Sequence, residues 1–143
     1  MSKTKKTPRT VPTLKKSDRP EYFRQRWITN VLASRKVDRK HTYNGTPCMR
    51  WTKYINVVNG YGQQRVSPHF KLLGSVKVAG AHRCVYAILV GEIPKDHHID
   101  HLCDNRWCTN HEHMKACLQA ENSIRANYVR WGKQDPTDNP APF

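Results

Sequence analysis

Cys103, Cys108 and His113 are spaced C-x4-C-x4-H, close enough for two thiolates and an imidazole to converge on one ion. Tetrahedral Zn2+ takes those donors, and three of them call for a fourth. Cys48 is the best remaining candidate, since it lies beside Trp51 and just after the turn-rich Thr42-Tyr43-Asn44-Gly45-Thr46-Pro47. Cys84 and Cys117 sit inside apolar runs, where a small buried thiol is the default. Five Cys is an odd count, and Met1-Ser2-Lys3-Thr4-Lys5-Lys6 lacks the apolar run of a secretion signal, so metal is a better use for the cluster than disulfides. The competing reading is that these are incidental buried thiols. A loop so poor in regular structure would take its shape from the ion, which contributes about 10–16 kcal/mol in zinc-finger peptides.

His101 stands two residues before Cys103, and Asn122 opens the next expected helix. An order of strand, metal-pinned loop, strand and helix brings the two face to face. The words Ala81-His82-Arg83, Gly91-Glu92-Ile93-Pro94, Ile99-Asp100-His101-Leu102-Cys103, Cys108-Thr109-Asn110, His113-Met114 and Glu121-Asn122 carry a family likeness, with Cys48-Met49-Arg50-Trp51 and Gly60-Tyr61-Gly62 upstream. Over residues 48 to 128 the chain resembles the HNH, or ββα-metal, nucleases, among them the His-Cys box homing endonucleases and the free-standing HNH homing endonucleases of phages.

That resemblance implies roles for particular residues. His101 matches the general base that takes a proton from the attacking water, a task suited to an unperturbed pKa of about 6.5. Asn122 matches the ligand of a single catalytic Mg2+, and Asp100, directly before the base, matches a second ligand found in part of the family. Neighbours on a regular strand point to opposite faces, so Asp100 shares the site only if the strand ends or bulges there. Asn110 matches a loop-ordering residue. Cys48, Cys103, Cys108 and His113 match the structural zinc set, and the products should carry 5′-phosphate and 3′-hydroxyl ends. The cation that steadies the phosphate is expected from Arg65 or Arg83, with Arg65 preferred because it follows the Gly-Tyr-Gly turn. His97, His98 and His111 read as surface residues or as supports behind the site and not as ligands, and His111 departs from the family's word, where Pro is common.

The elements that must position these residues follow from patterning. Residues 1–17, rich in Lys, Thr and Pro, read as a disordered basic arm, and residues 18–40 as a basic amphipathic helix and linker. Ser17 or Asp18 would cap that helix. Phe23, Trp27, Ile28, Val31 and Leu32 form its apolar stripe, and Arg24, Arg26, Arg35 and Lys36 its other face, available to DNA phosphates. Residues 41–131 are expected to hold the zinc-stabilised nuclease domain. Within it, strands over 49–58 and 63–66 are joined across Asn59-Gly60-Tyr61-Gly62, a helix covers 82–90, strands cover 97–102 and 114–117, and a helix runs from Ala120 to about Arg130. Residues 132–143 read as an extended Pro-rich tail. The fold class is thus α+β: a ββα-metal core with a structural zinc loop, an upstream hairpin and an N-terminal helix.

Charge supports a polyanionic partner. The chain carries a formal +14 over 143 residues, and 15 of its 25 Lys and Arg but only 3 of its 11 Asp and Glu fall in residues 1–53. Neutralising phosphates releases counterions and gives affinity without sequence information. No apolar stretch is long enough to span a membrane, so a cytoplasmic protein is expected, in the host cell if phage-encoded. The expected activity is Mg2+-dependent hydrolysis of double-stranded DNA by a homing-type, site-preferring nuclease or nickase, acting as monomer or homodimer. The rivals are a zinc-dependent DNA-binding module without turnover and a non-specific nuclease.

Overall fold

The computed structural model describes residues 19–121. Helix α1 spans Arg19–Ala33 and is followed by strands β1, Arg35–Tyr43, and β2, Thr46–Trp51. Strands β3, Gln63–Arg65, and β4, Val78–Gly80, precede helix α2, Ala81–Leu89. Strand β5, His97–His101, a 3-10 turn at His111–His113 and β6, Met114–Leu118, complete the order, and residues 119–121 are helical. Among the described residues these strands form three separate two-stranded antiparallel sheets, β1 with β2, β3 with β4, and β5 with β6.

The expected hairpin lies elsewhere. Its turn is Asn44-Gly45, where φ is +50° and +80°, the pair of positive values that a two-residue connection needs. The flanking strands pair Arg35 with Trp51 and Tyr43 with Thr46, with a register shift between Asp38 and Thr42. Strand β1 thus takes up Arg35 and Lys36, which do not belong to α1 as expected, and it runs through residues 40 and 41, where the sequence suggests a domain limit. The expected strand over 49–58 ends at Trp51. Beyond it the chain folds back on itself, with Gln63 N–H bonded to the Tyr54 carbonyl at 3.0 Å and Asn56 N–H to the Tyr61 carbonyl at 2.9 Å. Gln63–Arg65 then pairs with Val78–Gly80 and not with β2.

One core ties α1 to the sheets. Val31, Trp51, Val66, Ala81, Cys84 and Val85 are buried together, and Trp27, Ile55 and Ile88 pack against them. The helix stripe enters this core through Trp27 and Val31, and Trp27 donates its indole N–H to the Arg65 carbonyl at 2.7 Å. Phe23, expected on the stripe, is exposed and stacks on His69 at 5.7 Å. Gly62 lets β2 and α2 close: a Cβ there would lie 2.6 Å from Trp51 Cδ1 and 3.1 Å from the Ala81 Cβ.

Strands β5 and β6 pair regularly from His97 opposite Leu118 to His101 opposite Met114. Burial alternates along β5, with Ile99 and His101 inside and Asp100 half-buried on the other face. At the far end of β6 the Glu121 carboxylate accepts the Leu118 N–H at 3.1 Å, which closes the first helical turn. The basic arm, the cap at Ser17 or Asp18, Asn122 and the Pro-rich tail lie outside the described residues.

Candidate active site

The loop between β5 and β6 is pinned at both ends. Leu102 N–H bonds the His113 carbonyl at 2.8 Å, and Asp104 N–H bonds the His101 carbonyl at 3.1 Å. Its middle is sewn to β2: Thr109 N–H reaches the Met49 carbonyl at 2.7 Å and Trp51 N–H the Trp107 carbonyl at 3.1 Å. These bonds carry Cys48, on β2, to Cys103, Cys108 and His113. The four donor atoms lie within 4.8 Å of one another, and Cys48, Cys108 and His113 are fully buried. Donors of a zinc tetrahedron with Zn–S of about 2.3 Å stand roughly 3.8 Å apart, so the four need close by about an ångström at most. The sequence-derived set is therefore assembled by the fold as a Cys3His cluster that could bind zinc.

Donor chemistry supports the fit. His113 Nδ1 lies 3.5 Å from both Cys48 Sγ and Cys108 Sγ. On its other side, Nε2 meets the Thr46 hydroxyl oxygen at 2.7 Å, and that hydroxyl donates to the Tyr43 carbonyl at 3.0 Å. With its own proton spent, the hydroxyl can only accept, so Nε2 carries the hydrogen and the Nδ1 lone pair faces the sulfurs. Asn105 donates to Cys48 Sγ and the Asn110 N–H points at Cys108 Sγ, both at 3.4 Å. Burial raises the Cys48 thiol, and hydrogen bonding to Cys108 and then burial raise Cys103, costs that a cation among the sulfurs removes. Asn110 also accepts the Glu112 N–H at 3.0 Å and donates to the Pro47 carbonyl at 2.8 Å, tying the 3-10 turn to the residue before Cys48.

His101 grows out of the same knot. Its Nε2 donates to the Cys108 carbonyl at 2.9 Å, which places the lone pair of the neutral ring on Nδ1. Burial pushes the ring below the usual histidine range, while the Cys108 carbonyl, Asp100 and Asp104 pull upward and Arg106 lowers it further. His82, at the start of α2, packs on it with ring centroids 4.7 Å apart, and Tyr61 lies 5.2 Å from His82 and 5.8 Å from His101. His82 is pushed down to about 3 by burial, then by His101 and Arg83, and its buried Nδ1 has no hydrogen-bond partner among the described residues.

The arginines separate. Arg65 is exposed on β3, with its carbonyl bound by Trp27 and Gln64 toward α1. Arg83 is half-buried on α2 beside His82. Arg35 spends its guanidinium on the Leu32 carbonyl at 3.2 Å and the Thr109 carbonyl at 3.4 Å, clamping α1 to the loop between β5 and β6. Arg24 pairs with Glu21 at 3.2 Å, and Arg26 and Lys36 are exposed. Sequence reasoning did not single out Thr46, or Arg106, whose Nη1 donates to the Asn59 carbonyl at 2.9 Å while its Cζ stands 5.3 Å over the Tyr61 ring. Their signal was positional: Arg106 lies between Cys103 and Cys108 of the cluster, and Thr46 lies one strand repeat before Cys48.

Residues 79–124 match the family model described as HNH endonuclease. The chain is also 31% identical over 85 residues to the uncharacterized gene 5.3 protein of Enterobacteria phage T3, an alignment spanning 59% of this chain and 82% of that relative. No solved structure matches. A match that starts on β4 and takes in α2, the buried His101 and three of the four clustered donors agrees with the architecture element by element, and the chain belongs to the HNH endonuclease family.

Proposed function

We propose that this nuclease cuts double-stranded DNA with His101 as general base, and that it does so as a homing-type, site-preferring enzyme or nickase. The carrying observation is the His101 to Cys108 carbonyl bond, which ties the ring's tautomer to the backbone of the cysteine cluster. Nδ1 then accepts the proton of the attacking water, and the Cys108 carbonyl steadies the imidazolium that results. Zinc at Cys48, Cys103, Cys108 and His113 would keep that carbonyl in place. Asn122, with Asp100 as second candidate, would hold a Mg2+, which when bound supplies charge neutralisation at the scissile phosphate and leaving oxygen. Asp100 sits on a regular stretch of β5 that ends at His101, so the turn after the strand decides whether its carboxylate reaches the same ion.

Duplex binding is read from charge. Lys36, Arg39, Lys40, His41 and Arg50 line one concavity along the β1–β2 hairpin, with Asp38 as its acid. Arg26 adds a further exposed cation on α1. Such contacts position the duplex without reading its sequence.

Supercoiled plasmid incubated with the full chain, with and without Mg2+, tests the reading. Wild type should yield nicked or linear DNA only with the cation, and His101→Ala should abolish this while zinc content and melting temperature persist. Equal integrity of the plasmid with wild type and variant on every substrate refutes the enzymatic assignment and leaves a DNA-binding module. Discrete fragments separate a site-preferring enzyme from the smear of a non-specific one.

A further inference from the structure

We infer that Arg106 forms a phosphodiester-binding site, its guanidinium laid over Tyr61 and anchored on the Asn59 carbonyl so as to seat a DNA backbone phosphate beside His101. This rests on the nuclease reading above. Arg106 leaves the zinc loop between Cys103 and Cys108, the loop whose backbone also holds the His101 ring, so the base and this cation share one rigid support. Its side chain is fixed from the other side as well. The turn that carries Asn59 is closed by the Gly60 N–H to Asn56 carbonyl bond at 2.8 Å and by the Asn59 side chain accepting the Tyr61 N–H at 3.0 Å. Gly60 adopts φ +76°, and an added Cβ there would stand 3.7 Å from Arg106 Cδ, so the turn backs directly onto the arginine stem.

Three consequences follow from that geometry. Arg106 is an exposed cation whose plane is already set, because stacking on Tyr61 and the Asn59 bond remove most of its rotamer freedom before any ligand arrives. One of its five N–H donors is committed to Asn59, and the fork's remaining capacity suits the paired oxygens of a phosphate. The ring it rests on lies 5.8 Å from the His101 ring, so the cation and the base share Tyr61 as a common neighbour. Neither Arg65 nor Arg83 is joined to His101 through such a stack. Lysine could supply the charge but not the plane.

The test uses the full-length protein and two readouts. In Mg2+-free buffer, affinity for random-sequence duplex is measured against salt, where each phosphate contact adds about 0.9 to the log–log slope. Arg106→Ala and Arg106→Gln should each flatten the slope by about one contact, and Arg106→Lys should preserve it. With Mg2+ and supercoiled plasmid, kcat should fall on the order of 100-fold or more in Arg106→Ala and Arg106→Gln. Guanidinium ion at matched ionic strength should restore part of it in Arg106→Ala and none in His101→Ala, which a merely structural role would not produce. An unchanged salt slope in both uncharged variants, at full zinc content, overturns the site. If wild type and His101→Ala leave the plasmid equally intact, the nuclease reading falls, and the salt slope still decides whether Arg106 grips phosphate.

Discussion

The Thr46 hydroxyl makes two hydrogen bonds, one donated and one accepted, and their removal has a calculable effect on metal affinity. It donates to the Tyr43 carbonyl and accepts from His113 Nε2, and so aims the Nδ1 lone pair at Cys48 and Cys108. Thr46→Val keeps shape and β propensity and removes only the oxygen. Two losses follow. A buried imidazole N–H loses its acceptor, a cost of roughly 1–3 kcal/mol, and the ring is freed to take the other tautomer. Loss of such a partner to a metal-binding histidine lowers affinity by about 10- to 100-fold, equivalent to about 1.4–2.8 kcal/mol. Competition of the zinc-loaded protein against a graded chelator, with cobalt substitution to read the coordination spectrum, measures the change directly. Thr46→Ser should stay within a few-fold of wild type, because it keeps both hydrogen bonds. Zinc affinity unaltered in Thr46→Val would refute the tautomer argument, and so would an equal loss in Thr46→Ser.

Two further outcomes follow from the packing around the base. His82 is held at a pKa of about 3 in the fold against about 6.5 in an unfolded chain, so between those values the unfolded state binds more protons. Its contribution to stability is intact above pH 6.5 and is lost progressively as pH falls, by about 2 kcal/mol at pH 5. In denaturant melts, the stability of wild type relative to His82→Leu should therefore fall by about 2 kcal/mol between pH 7 and pH 5, and a difference that stays constant from pH 7 to 4.5 would contradict the assignment. Gly62→Ala drives a methyl group to 2.6 Å from the buried Trp51 ring, and the overpacking should cost about 1–3 kcal/mol in thermal unfolding, with a wild-type melting temperature as the refuting result.

Legibility in the sequence tracked the length scale of the cause. The cysteine and histidine spacing encodes a local closure, so the four donors could be named from Cys103, Cys108, His113 and one plausible long-range partner, and the fold brings those four together. The strands at His97–His101 and Met114–Leu118 and the helix at Ala81–Leu89 were readable because the Cys/His spacing and apolar periodicity bound them. Strand β1 was not, for its burial pattern has no two-residue period: only Arg35, Asp38 and Tyr43 are even half-covered, and its pairing is set by the Asn44-Gly45 turn and not by hydrophobicity. Two Asn-Gly pairs competed for one hairpin. The second, Asn59-Gly60, closes a loop, because Trp51 is drawn into the core against Gly62 and cannot extend the strand outward. Arg106 gives no comparable signal. A residue between two clustered cysteines has no periodic signature, and its partner Asn59 matters only once the 51–63 segment folds back on itself. Where the side chains of one loop converge as Cys103, Cys108 and His113 do, the backbone between them is held by the same closure, and a residue such as Arg106 that meets a second loop from there is a candidate for function alongside the flanking strands.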